Sequence, residues 1–151
     1  MTKWKLLGVL VATMAFCASG MAQDYKAFFG IWQINKEKTT NYQQQMQMII
    51  NVPSPNGFIS TRAQIGKENS QSSTEIHPVA FDGQPLQTSG GDARTISYKL
   101  VDSHTVARTQ NRNGKISMDT EQVSADGKTL TVTQNGVVRI YDKVADVRPV
   151  H

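Results

Sequence analysis

Apolar and polar positions alternate along much of the chain: "TISYKL" (95–100), "TVART" (105–109), "KISMDTEQV" (115–123), "TLTVTQ" (129–134) and "VVRIYD" (137–142). Successive side chains of an extended backbone face opposite ways, so each run predicts a strand with one buried face. Between and before the runs stand Asn56-Gly57, Asp82-Gly83, Gly90-Gly91, Asn113-Gly114, Asp126-Gly127 and Asn135-Gly136. These pairs favour tight hairpin turns, because both central positions of such turns take a positive φ. With Asp102–His104 counted, turn signals recur roughly every 8 to 13 residues from Asp82 onward, as in an antiparallel sandwich or barrel. The C-terminal half is predicted to be a meander.

The N-terminal half is less regular. "NYQQQMQMIINV" (41–52) begins with helix-favouring Gln and Met and ends on Ile49, Ile50 and Val52, so a short polar helix running into a strand is one expectation. "PSPNG" breaks it, "GFISTRAQI" (57–65) resumes a strand, and "GKENSQSSTE" (66–75) reads as a polar loop or weak edge pairing. The total is about eight to ten strands. A sheet of that size must curl, and closing it removes exposed edges, so the prediction is all-β: a single up-and-down antiparallel β-barrel.

The first residues form a separate unit. Lys3 and Lys5 precede the apolar run Leu6–Ala18, and small residues follow up to Ala22. That is the pattern of a cleaved secretory signal peptide, 1–22, leaving a single domain, 23–151, in the periplasm or outside the cell. The run is too short to span a bilayer, so no stable membrane insertion is expected. Cys17, the only cysteine, lies within it behind Phe16 rather than a small residue, which argues against lipid attachment and leaves the mature domain without disulfides. The chain has 16 basic and 12 acidic residues; without Lys3 and Lys5 the balance is 14 to 12. The remaining basic residues are scattered singly, so nucleic-acid binding is not expected.

Gly30-Ile31-Trp32 on the first strand and Val138-Arg139-Ile140-Tyr141 on the last resemble the layout of the lipocalin and fatty-acid-binding-protein superfamily. The chain is most similar to uncharacterised exported bacterial lipocalin-like proteins with a pattern like "GxWxLNxxKSxF" near the mature start and "SxDGKTxTxTxxG" before the closing strand. Here the pattern is met by Gly30, Trp32, Ile34, Asn35, Lys38, Thr39 and Tyr42, then by "SADGKTLTVTQNG" (124–136). The resemblance implies a lipocalin-like barrel in which Gly30 and Trp32 serve closure and Arg139 stacks across the Trp32 ring. It also implies a second use for Arg139 and Tyr141, since fatty-acid binders hold a carboxylate with such a pair.

Tyr98 and Arg108, on strands joined by the turn at Asp102–His104, are expected to face each other at the barrel mouth, either as ligand contacts or as an exposed stacked pair. His77, His104 and His151 lack the spacing of a metal site, and no cofactor is implied. The aspartates at 82, 92, 102, 119 and 126 are read mostly as turn residues, and no nucleophile elbow or phosphate loop appears. A non-enzymatic, monomeric protein is therefore expected. It binds a small hydrophobic or amphipathic molecule through Arg139, Tyr141, Tyr98 and Arg108, or else it is a filled barrel serving as a structural or protein-interaction module of the bacterial envelope.

Overall fold

The computed structural model describes residues 24–67, 72–88 and 94–147; the expected signal peptide, the Gly90-Gly91 turn, Asp92 and His151 lie outside them. After a 3-10 turn at Lys26–Phe28 come β1 (Gly30–Ile34), β2 (Met46–Ser54), β3 (Gly57–Ile65), β4 (Ser72–Ala80), β5 (Leu86–Gln87), β6 (Arg94–Asp102), β7 (Thr105–Arg112), β8 (Lys115–Val123), β9 (Thr129–Gln134) and β10 (Val137–Ala145). They form one antiparallel sheet in the order β4-β3-β2-β1-β10-β9-β8-β7-β6-β5. The all-β prediction stands: the sheet curls as an up-and-down barrel does. The edge strand β4 approaches β6, the neighbour of the short edge strand β5, and Arg94 reaches Glu75 across the gap at 2.9 Å.

The stretch expected to begin as a helix does not. Residues 43–45 are irregular and β2 starts at Met46, because Gln47, Ile49 and Asn51 each have a partner on β3 and Ile49 and Asn51 are buried. Pairing outweighs the modest helix preference of Gln and Met. A second correction concerns Asn56-Gly57. The hairpin turns on Pro55-Asn56, while Gly57 is already in β3, paired with Ser54. A Cβ at Gly57 would lie 1.9 Å from the Val79 carbonyl oxygen, so glycine serves close strand approach there. Asn113-Gly114 and Asn135-Gly136 do form tight turns, with φ of 52° and 81° and of 49° and 79°.

One end of the barrel is an aromatic plug. Phe28 stacks on Phe58 with centroids 6.1 Å apart, and Phe58 meets Phe81 edge-on at 5.7 Å. Trp32, fully buried above them, donates its Nε1–H to the Phe28 carbonyl at 3.1 Å, and Asn51 Nδ2 donates to the same oxygen at 3.0 Å. The cation over the Trp32 ring is Lys143, with Nζ 5.0 Å from the centroid, not Arg139 as the resemblance implied. Register decides this. Trp32 pairs with Lys143, whereas Arg139 lies beyond the end of β1, paired only with Val132 on β9. Gly30 makes the arrangement possible, since a Cβ there would come within 2.9 Å of both Lys143 Cε and the Ala145 carbonyl oxygen.

Candidate functional site

Inward-facing residues change character along the barrel axis. Near the plug they are aromatic and aliphatic: Trp32, Phe58, Val79, Val106 and Val123 are all buried. At the waist, charges appear. Arg108 pairs with Asp119 across the β7–β8 ladder, donating to its Oδ2 from Nε at 3.1 Å and from Nη2 at 2.7 Å, and Gln110 donates to the same oxygen. Arg62, from the opposite wall, donates to Glu121, whose Oε1 is also 3.8 Å from Arg108 Nη1.

The waist contradicts two expectations. Asp119 is not a turn residue but a buried carboxylate in mid-strand. Tyr98 and Arg108 do face each other in register, but in the buried interior rather than at the mouth. Burial alone would raise the Glu121 pKa; the Arg62 and Arg108 charges outweigh it and hold it below the ordinary carboxylate value. Burial likewise opposes the Arg62 charge, yet Glu121 more than restores it. Burial raises the phenols of Tyr98 and Tyr141, so both remain neutral donors at physiological pH.

Above the waist is a pocket of about 180 Å³ at the end opposite the plug. Its lining includes Arg62, Arg94 and Arg108 together with Gln47, Gln64 and Gln110. Glu75, on β4, binds Arg94, which pulls its pKa down against the burial that would raise it. His77 Nε2 lies 3.3 Å from Glu75 Oε2 without forming a hydrogen bond. Burial and the Arg62 charge depress the His77 pKa to about 4, so near neutral pH this contact is not an ion pair. The buried Arg62 Nε, Tyr98 hydroxyl, His77 Nε2 and Ser60 hydroxyl have no hydrogen-bond partner among the described residues.

Arg139 and Tyr141 both project from the inner face of β10 but diverge in environment. Tyr141 is fully buried beside Ile34, whereas Arg139 lines an adjoining recess with Tyr42 and donates to Gln134 Oε1 at 3.4 Å. They do not converge on one cavity. Arg62, Arg94 and the glutamines, which do converge, were missed because no short motif marks them; their shared register across β2–β4 and β6–β7 was the only available signal.

The remaining motif residues tie down the loop after β1. Asn35 Nδ2 donates to Asp142 at 2.6 Å, Lys38 pairs with Asp142 at 3.2 Å, and Thr39 Oγ1 accepts the Ile140 N–H at 3.0 Å. In the second block Ser124 and Asp126 close the β8–β9 turn. Asp102 and His104 form an exposed turn in which the aspartate accepts the His104 backbone N–H. No helix among the described residues is long and apolar enough to cross a membrane. Comparison with protein-family models and with curated proteins finds no match.

Proposed function

We propose that the chain is an exported, lipocalin-like, non-catalytic binding protein that takes a small amphipathic molecule at the open end of its barrel. The observation that carries this reading is the pocket of about 180 Å³, with its converging guanidinium and amide groups and the unpartnered Arg62 Nε at its wall. A buried donor without an acceptor costs about 1–3 kcal/mol, which a ligand acceptor would recover. The ligand class is narrower than sequence reasoning suggested. Trp32, Phe58, Tyr98, Leu130 and Tyr141 fill the space below, so a wholly hydrophobic guest has no apolar chamber to enter. Arg62, Arg94 and Arg108 already face Glu121, Glu75 and Asp119. The head group is therefore one rich in acceptors, and its apolar remainder stays near the mouth.

Ser73 is exposed yet lines the pocket, so Ser73→Trp plugs it without disturbing the buried ion pairs. Calorimetric titration with single-chain amphiphiles bearing carboxylate or hydroxylated heads should show saturable one-to-one binding. Ser73→Trp should weaken it at least tenfold with the melting temperature preserved. Equal affinity in both proteins, or no saturable binding in either, would refute the assignment.

The filled lower barrel favours a second reading, in which the domain is an interaction module of the envelope that takes no ligand. That reading predicts identical thermal stability with and without every amphiphile tested.

A further inference from the structure

Basic residues that are scattered in sequence are gathered by the topology. Strands run alternately up and down, so every second connection reaches the same end. Lys36 follows β1, Lys67 follows β3, Arg94 opens β6, Arg112 and Lys115 flank the β7–β8 turn, and Arg139 lies near the start of β10. All are at the open end, where Glu37 is the only carboxylate in the described loops. With Glu75 set against Arg94, that end is net positive among the described residues. The plug end has the opposite bias: Asp24, Asp82, Asp102, Asp126 and Asp146 outnumber Lys26, Lys128 and Lys143.

The basic end also carries an aliphatic lip. Ile116 and Met118, at the start of β8 beside Lys115, are 65% and 75% exposed, the highest values among the exposed large hydrophobic residues. Val137 and Val138, beyond the neighbouring β9–β10 turn, are exposed as well. On β8 the usual order is inverted: Asp119 and Glu121 point inward while Ile116 and Met118 point outward.

We propose that the open end docks on an anionic lipid bilayer, with the rim cations over the lipid phosphates and the Ile116–Met118 lip at the headgroup boundary. A soluble polyanion would pair with the cations but leave the lip in water. A bilayer carrying anionic lipid satisfies both groups at once, since basic side chains near its surface are attracted and aliphatic ones gain by burial at the interface. Docking would also bring the pocket mouth to the membrane, but it does not depend on a ligand.

The test is cosedimentation of the chain from Gln23 onward with vesicles of phosphatidylcholine alone or mixed with phosphatidylglycerol. Binding is expected only to the mixed vesicles and should be lost in high salt. Lys115→Glu should weaken it about 25-fold, since it changes the charge by two and each charge near such a surface is worth about fivefold. Ile116→Ser with Met118→Ser should weaken it several-fold. Lys128→Glu and Val101→Ser, at the plug end, should leave it unchanged. Equal binding to neutral vesicles, insensitivity to the rim and lip substitutions, or capture by soluble polyanions with none by vesicles would each overturn the proposal.

Discussion

Gly57 shows how one missing side chain fixes a strand's place. With a Cβ 1.9 Å from a backbone oxygen of β4, Gly57→Ala must separate β3 from β4, and its φ of 155° adds strain. Destabilisation of about 2–4 kcal/mol is expected by urea denaturation. At the waist, Glu121→Gln keeps the shape but removes the charge facing Arg62 and Arg108. Breaking a buried pair from one side costs about 3–5 kcal/mol, so the melting temperature should fall markedly. A double substitution, Arg62→Met with Glu121→Leu, should recover much of the loss. Sequence reading found Trp32 and Gly30 because their motif is local, but it assigned the wrong cation. Choosing between Arg139 and Lys143 needs the register of β1 against β10, shifted by the irregularity between Ile31 and Trp32. Asp119 was misplaced for a related reason: an aspartate resembles a turn residue until Arg108 and Gln110 are seen to surround it.

Among the elements, β7 and β8 carry the lesson that alternation reveals a strand but not which face is inside. Arg108, Gln110, Asp119 and Glu121 compensate one another across three ladder positions, so a polar face lies inward and Met118 lies outward. No single strand contains that information. The turns were more legible. At Asn113-Gly114 and Asn135-Gly136 the dipeptide specifies the backbone, and Gly136→Ala should cost about 1 kcal/mol, measured as a shift in the denaturation midpoint. The residues behind the family resemblance proved to build closure. Asn35, Lys38 and Thr39 bind the last strand, and Ser124 and Asp126 shape a turn. These motif residues thus account for the fold rather than for a ligand site.

For the whole molecule, acid sensitivity follows from the seam. The unfolded chain protonates His77 near 6.5, whereas the folded barrel resists until about 4. The unfolded state therefore binds the extra proton between those values, and stability should be level above pH 6.5 and fall toward pH 4 by roughly 3 kcal/mol. Glu75 and Glu121, held below their ordinary values, add to the loss at still lower pH. Urea midpoints measured across this range should decline, and His77→Gln should flatten the part above pH 4. The curled sheet was legible from turn spacing and alternation; the charge-sorted ends were not, because they arise only when the connections are assigned to ends.

Native mass spectrometry of the protein isolated from its native cells tests the binding assignment most directly. One small amphipathic molecule should be retained per chain in the unaltered protein and none in Ser73→Trp. A bare chain mass for both, from gently extracted material, would contradict it.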